Sequence, residues 1–203
     1  MTSVKFVSIT QGAKNWTGVD VAGAALDLLG VPNVTLSVSG GAVKVNQATG
    51  AAKLDWTTFS PTGMSLPHLD IGQDLDLHVS GSAKLQAYGV LIALGTIDLD
   101  EGQVTDTNTV GTDAEALSFE LKNAQAFAGS GGVLSGTTID TSNAIGVDGK
   151  VKSLKVVSIS QGEKSWLGID ASGVDASLVG VPNVTLSFTG GSTGRTSRRR
   201  VSR

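Results

Sequence analysis

The sequence predicts an all-β protein whose antiparallel strands form a sandwich, a roll or an elongated sheet. First, apolar and polar residues alternate with period two along much of the 203-residue chain, which is typical of half-buried strands. Second, turn-forming residues, including many of the 27 glycines, separate these runs. Third, the chain contains only nine aromatic residues (3 Trp, 1 Tyr, 5 Phe). The core must therefore come mainly from Val, Leu, Ile and Ala.

Alternation predicts the strands in chain order: 4–10, 34–38, 43–45, 75–79 and 97–100. Gly40-Gly41 and Ser80-Gly81-Ser82 are predicted to be hairpin turns, and residues 146–150, which tolerate a positive φ, are predicted to be a further turn.

Two segments fit a helix and a strand equally well by periodicity. These are residues 19–29 and residues 113–128. We favour a strand for residues 113–128 because their neighbours are strands.

A long internal repeat divides the chain. Lys5–Gly41 recurs as Lys155–Gly191 at a constant offset of 150 residues, and 22 of the 37 aligned pairs are identical. Self-similarity at a fixed period indicates a tandem array. We therefore predict about one and a third units, with residues 1–153 as the first unit and 154–191 as the start of the second.

The C-terminal dozen residues differ from the rest of the chain. All five arginines lie between Arg195 and Arg203, while the preceding residues carry ten lysines against 18 acids, a formal charge of −8. Because similarity to the first copy stops just before the arginines begin, residues 192–203 are predicted to be a non-native or disordered tail. An alternative is a nucleic-acid or membrane-surface arm. An acidic body repels phosphate, so we expect no nucleic-acid partner.

Composition excludes several classes of site and protein. The absence of cysteine excludes disulfides and thiolate sites. The longest apolar stretch, residues 87–95, is too short for a membrane helix, and the N-terminus lacks the apolar region of a signal peptide. We expect no membrane insertion. The Gly190–Gly194 match to a nucleophile elbow opens no helical pattern, and no phosphate-binding loop is present.

Trp16 and Trp166 occupy equivalent positions in the two copies. They could be aromatic platforms for sugar, but we favour buried anchors because so few large side chains are available to the core.

The most suggestive chemistry lies on one predicted strand. Asp74, Asp76 and His78 are spaced so that all three project from the same face, and Asp98 and Asp100 do the same on a later strand. If the strands are neighbours, these groups gather, and His68 could approach from the preceding loop. They are predicted metal ligands, for Ca²⁺ through oxygens or for Zn²⁺ or Mn²⁺ through mixed ligands. The alternative is a merely solvated strand face.

An acidic loop at residues 106–117 begins like a calcium-binding loop, but it carries Val110 and Leu117 where that loop needs ligands. We interpret it as a turn.

Four motifs carry a resemblance to a known class of protein. They are Val-Ser-Ile-(Thr/Ser)-Gln-Gly-x-Lys-x-Trp-x-Gly, Gly-Val-Pro-Asn-Val-Thr-Leu-Ser, Ala-Ala-Lys-Leu-Asp-Trp and Leu-His-Val-Ser-Gly-Ser-Ala. Over residues 4–191 the chain resembles the β-rich units of giant tandem-repeat bacterial surface or secreted proteins. The resemblance implies an all-β, extracellular, adhesin-like context, often stabilised by calcium.

Two functions follow as hypotheses. One is a structural or adhesive module whose partners are neighbouring repeats of the parent protein. The other is a metal-dependent hydrolase of small esters or phosphotriesters, with His78 and Asp76 as catalytic residues beside a metal-activated water. The duplicated segment also predicts a strand-swapped homo-oligomer, since two copies could compete for one place in the fold.

Overall fold

A computed structural model describes residues 1–27, 29–182 and 184–190, and the backbone of residues 193–200. These residues form twelve strands: β1 Ser3–Gln11, β2 Lys14–Asp27, β3 Val34–Thr49, β4 Leu75–Ala87, β5 Leu91–Asp106, β6 Gly111–Ser130, β7 Val133–Ser135, β8 Thr138–Asp140, β9 Ile145–Gln161, β10 Lys164–Val179, β11 Ser187–Thr189 and β12 Thr193–Arg200. The predicted all-β class is confirmed.

Ten strands form one open antiparallel sheet, in the order β1-β2-β3-β4-β5-β6-β9-β10-β11, with β12 also paired to β10. β11 pairs beside Asp175–Ser177 and β12 beside Lys164–Ala171. The hairpin β7–β8 is a separate two-stranded sheet. Of the three predicted architectures, the structure has the elongated sheet. Residues 113–128 lie in β6, which confirms the strand that we favoured.

The three predicted turns are wrong, and residues 146–150 lie inside β9. Gly40-Gly41 lies inside β3 and Ser80–Ser82 lies inside β4. The register between these strands shifts between Ser39 and Ala42, as in a β-bulge, and Gly40 has a φ of 63° there. Gly40 therefore allows the backbone to form a bulge within the strand, and the chain does not reverse there.

The two copies of the repeat form the same hairpin. In β1–β2, Ser3 pairs with Ala22 and Gln11 with Lys14. In β9–β10, the residues 150 positions later pair in the same way, from Ser153↔Ser172 to Gln161↔Lys164. β1 lies at one end of the sheet, whereas β9 is paired with β6. Both copies thus hold separate places in one sheet, and the strand-swapped oligomer stays a prediction.

The arginine-rich segment continues this correspondence in its backbone. β12 pairs with β10 in the register that β3 has with β2: Ala171↔Thr193 repeats Val21↔Val43 at the same offset. The non-native origin that we predict for residues 192–203 stays a prediction, and residues 191, 192 and 201–203 lie outside the described part of the chain.

Both buried clusters lie on one side of the sheet, which we call the capped face. At one end, Trp56, Leu69 and Ile71 from the segment between β3 and β4 cover Val7. We call residues 51–74 the cover segment. At the other end, Ile139 and Ala144, from β8 and the loop that follows it, pack with Ile92 and Phe127. The opposite side of the sheet is the open face, and neither cluster includes a residue from it.

The cover segment is fixed by buried polar contacts. Asn46, fully buried on β3, donates from Nδ2 to Leu54 O and Gly72 O at 2.9 Å each. Trp56 Nε1 donates to Asn46 Oδ1 at 2.8 Å. Trp16 packs against the same cluster and donates from Nε1 to Ala52 O at 2.9 Å. The predicted anchor role of Trp16 agrees with these contacts, whereas Trp166 belongs to neither buried cluster.

Candidate metal centre

The candidate site lies on the capped face, where β4 and β5 are neighbours. His78 is directly opposite Asp100, and Ser80 is opposite Asp98. Directly opposed residues project from the same side of an antiparallel pair. The juxtaposition on which the sequence-based prediction depended is therefore present.

Three predicted ligands come together. His78 Nδ1 lies 2.7 Å from Asp100 Oδ1 and 3.7 Å from Asp98 Oδ1, and one ligand atom from each residue falls within 4.8 Å of the others. Ligand atoms that surround Zn²⁺ tetrahedrally at about 2.1 Å are roughly 3.4 Å apart. The observed separations bracket that value, so small side-chain shifts would bring all three groups onto one ion.

Ser80 fixes the other side of the imidazole. His78 Nε2 and Ser80 Oγ lie 3.1 Å apart. A metal on Nδ1 requires that this nitrogen be unprotonated, which leaves the proton on Nε2, from which a hydrogen bond can be donated to Ser80 Oγ. A hydrogen bond of this kind orients a metal-binding histidine. The spacing of His78 and Ser80, two residues apart on a strand, could have identified this contact from sequence.

The remaining predicted ligands lie elsewhere. Asp76 shares the face of His78, but its Oδ1 is 2.8 Å from Lys53 Nζ. Asp74 precedes β4, and its carbonyl oxygen accepts a hydrogen bond from Gln103 N at 2.8 Å. His68 belongs to the cover segment and lines a cavity of about 230 Å³ with Val7 and Trp56. The three-residue cluster thus contains none of these three.

A shallow depression lies beside the cluster on the capped face. Its volume is about 230 Å³, and its lining includes Asp100, Gly102, Val104 and Ser118. The side chain of Asp100 is half exposed, so a ligand larger than a metal ion could reach the cluster from this direction.

An ionic network continues from the cluster across β6 to β9. Lys122 Nζ lies 4.0 Å from Asp98 Oδ2 and 3.0 Å from Glu120 Oε2. Glu120 Oε1 lies 3.7 Å from Lys155 Nζ and accepts a hydrogen bond from Ser153 Oγ at 3.1 Å. Lys122 is not among the residues predicted from sequence, because its proximity to Asp98 depends on the register between β5 and β6.

The network shifts two ionisation equilibria. The hydrogen bond from Lys122, aided by Ser153 and by the charges of both lysines, holds the pKa of Glu120 below its usual range, against the opposing effect of burial. The same hydrogen bond raises the pKa of Lys122. Both groups therefore favour their charged forms. The network supplies positive charge beside Asp98, which weakens the attraction of the cluster for a cation.

No protein family, curated protein or solved structure matches this chain. Within the described residues, no helix is long and apolar enough to cross a membrane.

Proposed function

We propose that this protein is a structural β-repeat module that extends a tandem array in a secreted or cell-surface protein, with neighbouring repeats as its partners. The observation that carries the proposal is the continuity of the sheet from the first unit into the second. β6 pairs with β9 from Glu115↔Ser160 to Ser130↔Ile145, and β9 runs through the predicted unit boundary at residues 153 and 154.

The pairing of β6 with β9 also indicates how successive units of the array would join. β9 and β10 repeat the register of β1 and β2, so the β6 of a preceding unit would meet β1 as this β6 meets β9. Each unit would then add six strands to the main sheet. At about 4.8 Å between strands, that is about 29 Å per unit.

Chains of one, two and three complete units, each ending with the β9–β10 hairpin, test this proposal by small-angle X-ray scattering. We expect the longest dimension to increase by about 29 Å for each added unit, without signs of flexible joints. Units that scatter as independent bodies on a flexible chain would overturn the proposal.

A bound metal is the second part of the proposal, as a folding aid to the module. Ca²⁺ prefers six to eight oxygen ligands, whereas this cluster offers one imidazole nitrogen and two carboxylates. These ligands favour Zn²⁺ or Mn²⁺ over the calcium that the resemblance implies. Thermal unfolding with each ion, together with mass spectrometry of the native protein, separates the alternatives. A melting temperature that rises with calcium alone would contradict this choice.

A metal-dependent hydrolase is the second candidate function. The observation in its favour is that the three-ligand cluster lies beside the depression at Asp100. Three protein ligands would leave a coordination position on the metal for water. Asp76 is ion-paired with Lys53, so the base that acts on such a water would be the oxygen of Asp98 or Asp100 that does not bind the metal.

A panel of chromogenic esters and phosphotriesters, assayed with and without chelator, tests the hydrolase. Turnover that is lost on chelation and in His78→Ala would support it. Absence of turnover in the zinc-loaded protein would exclude it for these substrates, and it would leave the structural proposal intact.

A further inference from the structure

We infer that the capped face of the β9–β10 hairpin is a docking site for a second cover segment, a polypeptide with the sequence pattern of residues 51–74. The inference rests on the proposed array, in which the chain that continues past the second hairpin would supply this segment. The observation behind it is that the two hairpins are equivalent in sequence and register, but the cover segment lies on the first alone.

The first hairpin shows what the occupant contacts. Val7 is 3% exposed beneath Trp56, Leu69 and Ile71. A Cβ added at Gly18 would lie 2.5 Å from Leu69 Cδ1 and 2.8 Å from Trp56 Cε2. Glycine at this position therefore lets the Trp56 ring and Leu69 lie directly on the strand.

The second hairpin keeps the receiving residues without the cover. Val157 is the equivalent of Val7, and it is 37% exposed. Gly168 is the equivalent of Gly18, and a Cβ added there would meet only Val157 O, at 4.0 Å. Ile159 and Trp166 repeat Ile9 and Trp16, and they face each other in the same register. At these four positions the second hairpin presents the same residues as the hairpin that the cover segment contacts.

One anchoring residue is missing from the second copy. The register position that corresponds to Asn46 is held by Thr196. Asn46 joins Trp56, Leu54 and Gly72, so docking needs the native continuation of the repeat as well as the exposed hairpin.

The test replaces residues 192–203 with residues 42–74, which restores both the asparagine and the cover segment at the repeat offset. We expect hydrogen exchange at Val157 and Ile159 to slow by about an order of magnitude relative to the parent chain, and the added segment to resist proteolysis. A matched chain in which the added tryptophan is replaced by alanine should lose both effects.

Gly168→Val tests whether the added segment docks over this glycine. In the parent chain this variant should leave hydrogen exchange unchanged, because no residue that the structure describes lies over the glycine. In the extended chain it should restore parent-like exchange, because valine occupies the place of the indole. An added segment that is digested as an unstructured tail, or one that protects β9 equally with Gly168→Val, would overturn the inference. Scattering that shows flexible units would instead contradict the array alone.

A second inference has independent support: we propose that the open face packs against the open face of a second copy of this chain, as in a β-sandwich. One row of directly paired residues crosses eight strands of this face and is apolar throughout: Val4, Val21, Val43, Val79, Leu99, Phe119, Val156 and Ile169. The next row includes Phe6, which is 61% exposed, and Leu117, which is 42% exposed.

The size of this surface agrees with a stable dimer. The next row is interrupted by Glu101 and Ser158, but the apolar character continues on the other side of the first row through Gly81, Ile97, Leu121, Leu154 and Ala171. A patch five rows deep over these strands covers roughly 1,000 Å² on each copy, so a dimer would bury about 2,000 Å². Apolar faces of two twisted sheets pack at about 10 Å with their strands nearly aligned. A second copy has the same apolar residues and the same sheet twist. Packing the two open faces together would therefore remove the exposed apolar surface of both copies from water.

Sedimentation equilibrium of the full chain tests the dimer. We expect a dimer at micromolar concentration and a monomer for Leu117→Lys and for Ile169→Lys. The control Val104→Lys changes a residue of similar exposure on the capped face, 38% against 42% and 44%, and should stay dimeric. Circular dichroism must show that the variants keep their strands. A monomeric parent chain, including one that binds neutral lipid vesicles instead, would overturn the proposal, as would variants that stay dimeric.

Discussion

Gly18 and Gly168 occupy the same register position in two copies of one hairpin, and they differ in what lies above them. Gly18 pairs with Val7, and Gly168 pairs with Val157. Trp56 and Leu69 lie against Gly18, whereas among the described residues a Cβ at Gly168 would meet only Val157 O, at 4.0 Å. The same sequence motif thus occurs twice in one molecule, once beneath the cover segment and once without it. Substitutions at the two positions can therefore separate the effects of local strand structure and of packing on the free energy of unfolding.

Alanine at the two glycines should have opposite effects on stability. Gly18→Ala forces a methyl group into Leu69 and Trp56, and such overpacking lowers the free energy of unfolding by about 1–3 kcal/mol. Gly168→Ala adds a methyl group in open space, and the reduced entropy of the unfolded chain should raise that free energy by roughly 0.5 kcal/mol. Urea unfolding measures both, and equal effects would contradict the covered position of Gly18.

Asn46→Ala should detach the cover segment. The substitution leaves Trp56 Nε1 and the carbonyl oxygens of Leu54 and Gly72 without their partner in a buried place. Because each unsatisfied buried group costs about 1–3 kcal/mol, we expect a loss of about 3 kcal/mol or more. The exposed neighbour Gln47→Ala is the control. Tryptophan emission should shift to longer wavelength in Asn46→Ala alone, and an unchanged spectrum would count against this role.

Much of the fold follows from the sequence, because period two is a local property. The alternation around Leu75–Val79 and Ile97–Asp100 identified strands that the structure contains. It could not show that Gly81 lies inside a strand, since glycine is equally common at turns and bulges. At Gly81 the reason is long-range: an added Cβ would lie 2.7 Å from Val38 Cγ1 on the neighbouring strand.

The candidate site was predictable only in part, for a related reason. The spacing of His78 and Asp76 showed that they lie on the same face of the strand. A shared face does not determine which residue the flexible side chain of Asp76 contacts. Lys53, in the cover segment, forms an ion pair with Asp76, and no local sequence pattern predicts that contact. Asp100 joins His78 because antiparallel pairing places the two directly opposite each other.

Ser80→Ala should weaken metal binding without removing a ligand. If Zn²⁺ binds His78 Nδ1, the Nε2 proton faces Ser80 Oγ, and loss of such a partner typically costs tenfold or more in metal affinity. Ser82→Ala, two residues further along the same strand and exposed, is the matched control. Isothermal titration with zinc measures the affinities. Equal affinity in both variants would show that Ser80 does not orient the imidazole.

Glu120 should make stability depend on pH in the acidic range. Its pKa is held below the usual range, chiefly by the hydrogen bond from Lys122, so the folded protein keeps this carboxylate ionised where the unfolded chain takes up a proton. The stabilising contribution is complete above the unfolded pKa of about 4.3, and it is lost as the pH falls through the lowered folded value.

Lys122→Met tests this linkage. Removal of the ammonium group should raise the pKa of Glu120 toward its ordinary value, as measured by NMR titration of the side-chain carboxyl carbon, and should move the acid unfolding midpoint to higher pH. Lys14→Met, at the exposed end of β2, is the control and should change neither quantity. Because Lys122 also lies near Asp98, the same variant should bind zinc more tightly, since a repulsive charge has left the cluster. A Glu120 that titrates identically in the parent and in Lys122→Met would show that this ion pair does not persist in solution.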